Sequence, residues 1–196
     1  MKSKLLANLI LVAAAFLLIL GNQGCGKAKW TKELSADTRK YLAHNVWIEN
    51  GEIWSTGYQV GRLIPAGTRV KNIKLGKKSG YPVVSFTGVE DNQTYYAYFN
   101  PKHHPGISAQ DYMDRLLTSR SFEEMTQGMT GKEKEAIKTG DVVLGMSREA
   151  VLVSWGHPPE TGTSSLDSDV WKFWKNRFDT IEVRFNDDDK VREIRD

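Results

Sequence analysis

Four groups of residues in this chain have side chains able to do chemistry. The single cysteine, Cys25, supplies the only thiol; it could act as nucleophile or acyl acceptor, but alone it closes no intramolecular disulfide. His103 and His104 place two imidazoles side by side. Adjacent residues on an irregular segment rarely converge on one ion, and no Cys or His partner stands at a ligand spacing, so a solvated loop is expected there before a metal site. His157 follows Gly156 at what reads as a helix exit, where an imidazole is expected to meet the last carbonyls before it does catalysis. The run Asp187-Asp188-Asp189 gathers carboxylates of the kind hard cations take, but it lacks the glycine and distal glutamate of an EF-hand loop, and a polar hairpin turn is expected.

No Gly-x-Ser-x-Gly elbow, phosphate-cradling glycine loop or zinc-hydrolase helix occurs in the chain, and no nucleophile is paired with a base along it. The expectation is therefore a protein without catalytic, cofactor-binding or metal-binding residues. Aromatic side chains are the remaining lead. Trp171 and Phe173 alternate with Trp174 on a strand-like stretch, so the first two face opposite to the third. Rings of this size are core material first, but Trp171, Phe173 and Trp174 are also the candidates for binding a partner.

The elements that must position these residues begin with a leader. Lys2 and Lys4 precede a run in which Leu9 to Leu20 is unbroken and apolar, the charged and apolar regions of a secretory signal. Twelve helical residues span about 18 Å, short of the roughly 30 Å hydrocarbon core of a membrane, so a signal is favoured over a permanent span. The run breaks at Gly21-Asn22-Gln23-Gly24-Cys25. A cysteine after a small residue at the end of such a run resembles the lipoprotein signals, which implies cleavage before Cys25, acylation of its thiol and a lipid-anchored protein of the bacterial cell envelope. Residues 1–24 are then signal peptide, and 25–45, rich in charge, read as a polar tether with one helical turn after Ser35.

Residues 46–100 have a β-rich texture. Asn50-Gly51 lies between Val46–Glu49 and Glu52–Ser55, and this dipeptide suits a type I′ turn because both central residues need positive φ, so a tight hairpin is expected. Further strands are expected around 63–64, 69–75 with a register break near Asn72, 81–86 and 93–99. The stretch Leu63 to Val70 resembles the strand-turn-strand unit of SH3-like small barrels. Residues 101–130 read as a helical connector. Ser108, Ser121 and Thr130 each stand three residues before an acid, the capping-box spacing, and predict helices over 109–118, 122–127 and 131–139. Ser147 caps a further helix over 148–155, with Gly156 as a left-handed exit. Strands are expected over 170–175, 180–185 and 191–194, the second with Ile181, Val183 and Phe185 on one face. The fold class is α+β: a small β-rich domain, a helical connector and a C-terminal ααβββ unit with an antiparallel sheet.

That last unit, residues 131–196, resembles the SmpA/OmlA (BamE-like) family of outer-membrane lipoproteins. The likeness is carried by Gly145-Met146-Ser147, Val151, Gly156 and Pro158, the aromatic strand Trp171 to Trp174, Val183-Arg184-Phe185 and Lys190-Val191 with Ile194. It implies a non-enzymatic adaptor or scaffold in outer-membrane assembly or maintenance, facing the periplasm, with envelope proteins or cell-wall polymer as partners. Trp155 stands where the family more usually has leucine, and the 46–100 segment has no counterpart in its short members. The alternative is a periplasmic enzyme or inhibitor holding a ligand in the β-rich domain. Setting Lys2 and Lys4 aside leaves 25 basic against 24 acidic residues, so a nucleic-acid partner is not expected.

Overall fold

A computed structural model describes residues 28–33 and 39–196; the expected signal, Cys25 and the turn after Ser35 lie outside them. Among the described residues the chain is mixed α and β, with four helices and several sheets, mostly antiparallel.

Each helix starts where a hydroxyl meets orphan backbone donors. Ser108, Ser121 and Thr130 form complete capping boxes with Asp111, Glu124 and Glu133 at the heads of α1 (Ala109–Leu116), α2 (Phe122–Met125) and α3 (Gly131–Thr139), while Ser147 caps α4 (Arg148–Trp155). The ends differ from the expectation. α1 stops two residues early because Leu117 turns extended (φ −121°, ψ 142°) and joins a strand pair. Gly156 has the positive φ foreseen (76°), but with ψ −165° it is extended rather than left-handed helical, a region open in practice only to glycine.

The strands are β1 (Lys29–Glu33), β2 (Tyr41–Leu42), β3 (Val46–Ile48), β4 (Ile53–Trp54), β5 (Arg62–Ile64), β6 (Val70–Lys78), β7 (Tyr81–Gly88), β8 (Thr94–Tyr98), β9 (Leu117–Thr118), β10 (Val170–Trp174), β11 (Thr180–Phe185) and β12 (Val191–Arg195). They form a five-stranded sheet in the order β1-β6-β7-β8-β4, a three-stranded sheet β10-β11-β12, and the pairs β2-β9 and β3-β5. The Asn50-Gly51 turn has the positive φ values expected (53° and 82°), yet its arms part after one Glu49–Glu52 bridge. β3 pairs with β5, and β4 runs parallel to β8. Turn chemistry dictated the reversal, and burial of Val46, Ile53 and Ile64 chose the partners. The register break near Asn72 is present, between Lys71 and Lys74, with Asn72 at φ 53°.

The stretch read as a polar tether contributes structure in its described part. β1 pairs with β6, β2 pairs with β9, and Leu42 is fully buried. An edge strand needs backbone partners more than apolar side chains, so its charge concealed it.

Two apolar clusters result. One gathers α1, β2 to β9 and the inner face of the five-stranded sheet, including Leu42, Val84, Phe86, Met113 and Leu116. The other joins α3, α4 and the three-stranded sheet, including Ile137, Met146, Val151, Trp171, Val183 and Phe185. Asn45, 1% exposed, ties them: its Nδ2 donates to Ile137 O (2.7 Å), its Oδ1 accepts from Ala66 N (2.7 Å) and its backbone N–H donates to Val153 O (3.1 Å).

Candidate functional site

The junction between the two clusters collects three of the described histidines, His44, His104 and His157. Pro101 to Gly106 follows β8 as successive turns, with His104 N donating to Pro101 O and Ile107 N to His104 O. These turns aim His104 inward, where it is 4% exposed and stacked on Phe99 (5.5 Å), itself stacked on Tyr112 (5.4 Å). The solvated loop expected for this pair is thus wrong for His104; a residue after proline-led turns can be carried inside, and only the tertiary partners reveal it.

His104 Nε2 lies 3.1 Å from Ser55 O, and Nδ1 lies 2.6 Å from Glu160 Oε2. A carbonyl only accepts, so Nε2 donates. Burial pushes the Glu160 carboxyl up, but hydrogen bonds from Arg115 and His104 outweigh it and hold the acid below its ordinary range. The carboxylate is an acceptor too, so both ring nitrogens face acceptors. Arg115 closes the triad, 2.6 Å from Glu160 Oε1. Three segments, the 101–107 turns, α1 and the loop after α4, are held by these charges.

His44 and His157 are held by other contacts. His44 Nδ1 donates to Asn45 O (2.8 Å), and its ring lies against Gly156, where a Cβ would sit 2.8 Å from Nδ1. Desolvation lowers its pKa. His157 is driven down to about 3, first by burial, then by the neighbouring His44 and Arg115, and among the described residues its buried Nδ1 has no hydrogen-bond partner. The last turn of α4 is closed by Gly156 N donating to Leu152 O, so the expected contact of His157 with those carbonyls is not made.

His44, His104 and His157 line an internal cavity of about 30 Å³ with Tyr58, Trp155 and others, room for one or two waters. Two surface grooves reach the same point. One, of about 590 Å³, runs past Asp111, Asp114 and Arg120; the other, of about 270 Å³, runs past Pro105, Glu160 and Ser165. Ile107, Arg115 and His157 line all three. Chemically the junction offers a neutral acceptor beside a guanidinium already engaged. A general base works best with a pKa near the working pH, far above that of His157, and both nitrogens of His104 are taken up by Ser55 O and Glu160.

The other expected residues fall elsewhere. Cys25 lies outside the described residues. Trp171 and Phe173 are 1% and 3% exposed in the C-terminal core, so neither presents a surface to a partner; alternation put both on one face, and the packing made it the inner one. Trp174 points to the other face, half-buried, edge-on to Tyr58 (6.5 Å) and His103 (5.8 Å). Asp187 and Asp188 are exposed in the β11–β12 turn, while Asp189, at φ 57°, binds Arg148 Nε (2.6 Å). Among the described residues no cluster of three His, Cys, Asp or Glu side chains is placed to hold a metal, and no helix is long and apolar enough to cross a membrane.

Comparison with known proteins adds little that is specific. No family model matches the chain, and no solved structure matches it. A stretch of 60 residues is 40% identical to part of an aliphatic sulfonates import ATP-binding protein, SsuB 1, of Shouchella clausii. That stretch covers 31% of this chain and 24% of the transporter protein, so the chain matches about a quarter of that relative's length.

Proposed function

We propose that the chain is a lipid-anchored protein of the bacterial cell envelope, acylated at Cys25 after removal of residues 1–24, which acts as a non-enzymatic adaptor or scaffold at the outer membrane facing the periplasm. The observation that carries this reading is the C-terminal arrangement α3-α4-β10-β11-β12. The residues of the SmpA/OmlA likeness serve there as framework: Met146 and Val151 are fully buried, and Trp171, Val183 and Phe185 close the same core. The β-rich part, with its SH3-like strand-turn-strand, is clamped to this unit by Asn45 and by the His104–Glu160–Arg115 triad, which suits a rigid platform. The weakly basic His157 supports a binding rather than a catalytic role. Envelope proteins or cell-wall polymer are the partners this reading implies, with no cofactor and no nucleic acid.

A second reading, a periplasmic enzyme or inhibitor that takes a ligand through the β-rich domain, draws on the two grooves that meet at His157 and Arg115. One preparation separates the two. Protein extracted from bacterial membranes should show the mass of a chain beginning at Cys25 plus acyl groups, absent in Cys25→Ala, and should co-purify with stoichiometric envelope partners. A soluble, unacylated monomer that binds only a small molecule overturns the adaptor.

A further inference from the structure

The five-stranded sheet has a second face that no helix covers among the described residues. Alternation along β7 sends Val84 and Phe86 into the core beside α1, and Val83, Ser85 and Thr87 to the opposite side. Register carries that outer face across the neighbours: Ser85 stands opposite Lys74 and Tyr96, Thr87 opposite Thr94, Val83 opposite Gly76 and Tyr98, and Gly76 opposite Trp30.

On this face lies a cleft of about 320 Å³ lined by Trp30, Lys74, Ser85, Thr87, Thr94 and Tyr96, within the size range of about 300–1,000 Å³ usual for small-ligand sites. The rings of Trp30 and Tyr96 are nearly parallel (14°) with centroids 6.4 Å apart. Trp30 is 38% exposed although it is a tryptophan on an edge strand. Its position depends on Gly76, where a Cβ would fall 2.8 Å from the indole Cε3. Lys78 Nζ sits 3.7 Å over the Tyr96 ring, and the aromatic strip continues through Tyr98 to Trp54, whose rings stack at 5.1 Å.

Flat rings bordered by hydroxyls and ammonium groups have a definite complement. A purely apolar ligand would set hydrocarbon against the Ser85 hydroxyl and against the Thr87 and Thr94 hydroxyls, which already bond each other (3.2 Å). A pyranose offers one apolar C–H face for a ring and a rim of hydroxyls for Ser85 and for the lone pair that the threonine pair leaves over. The charge adds a further requirement: Lys71, Lys74 and Lys78 of β6 share the outer face, Lys77 being in register with Pro82 on the inner one, and β6 itself carries no acid although Glu33 of β1 stands opposite Lys74, so an anionic chain is drawn to this face. We propose that the outer face of the five-stranded sheet is a binding site for an acidic polysaccharide, with Trp30 and Tyr96 as the sugar platform and lysines of β6 pairing with its carboxylates. The site goes beyond the adaptor reading and does not depend on acylation of Cys25, so either can fail without the other.

The test is titration of the purified full chain in detergent with oligogalacturonate, read by tryptophan fluorescence and calorimetry, against neutral dextran and an oligothymidylate of similar length. Oligogalacturonate should bind saturably, at least tenfold tighter than dextran, and more weakly as salt is raised. Trp30→Ala and Tyr96→Ala should each weaken binding at least tenfold, and Lys78→Ala severalfold. Phe178→Ala, at a 90% exposed ring outside the cleft, should leave it unchanged. Should a ring variant fail to fold, the Lys78 and salt responses decide alone. Absence of saturable oligogalacturonate binding, unchanged affinity in the folded cleft variants, or tighter binding of oligothymidylate overturns the proposal.

Discussion

Replacing Glu133 with glutamine keeps the length of the side chain and removes its charge, and the effect can be worked out from the contacts. The carboxylate is 4% exposed and serves two helices. Its Oε2 accepts from Thr130 N (2.8 Å) and Oγ1 (2.9 Å) at the head of α3, and its Oε1 accepts from Ser147 N (2.9 Å) and Oγ (3.0 Å) at the head of α4. Burial alone would raise its pKa, but these four donors outweigh it and lower the value from 4.5 to about 2. At about 1.4 kcal/mol per unit, the ionised form contributes about 3 kcal/mol to folding at neutral pH. Because the folded pKa is depressed, that contribution is complete above the unfolded value and disappears as pH falls through the folded one. Glutamine also turns an amide donor toward one pair of donors, so Glu133→Gln should lose about 3 kcal/mol at pH 7. The gap between variant and parent should shrink to about 1.5 kcal/mol at pH 3, where the unfolded carboxyl is already protonated. Urea denaturation of both proteins at pH 7, 5 and 3, with a common m-value, measures this. A loss below about 1 kcal/mol at pH 7, or a gap that does not narrow on acidification, would refute the double-cap reasoning.

Asn45→Ala should leave Ala66 N–H buried without its partner and Ile137 C=O with only the Gly140 N–H, and cost about 1–3 kcal/mol in denaturant titration; a neutral result would mean the two clusters are not joined there. Gly156→Ala forces a β-carbon into the His44 ring at a φ of 76°, and a drop of at least about 2 kcal/mol is expected, whereas Gly80→Ala, also at positive φ but with nothing within 4 Å of the new atom, should cost less. Nitrogen NMR of the imidazoles should show His157 neutral down to about pH 4, in keeping with its pKa of about 3; a His157 signal that titrates near pH 6 contradicts its burial.

Local chemistry was readable wherever it is decided within a few residues. The boxes at Ser108, Ser121 and Thr130 each pair a hydroxyl with a backbone N–H three positions on, so spacing alone reveals them. The same holds for the positive φ of Asn50 and Gly51 and for the alternation of β11. The candidate site was not legible this way. His104 and Glu160 are 56 residues apart and Asn45 and Ile137 are 92 apart; each side chain, taken alone, is an ordinary polar residue in a loop. The cleft was missed because Trp30 sits in a lysine-bearing stretch that resembles a tether, and its ring gains a neighbour only when β1 pairs with β6.

By itself the sequence determined where helices begin, where the chain reverses and which side chains share a face, because caps, turns and two-residue alternation act through adjacent backbone groups. Tertiary structure decided which strand takes which partner, which aromatic face turns inward and which imidazoles are drawn into the junction. Strand pairing, burial and the field around an imidazole are sums over residues distant in the chain, so Trp171 and Phe173 became core, Trp30 and Tyr96 became surface, and His104 was carried inward onto Glu160.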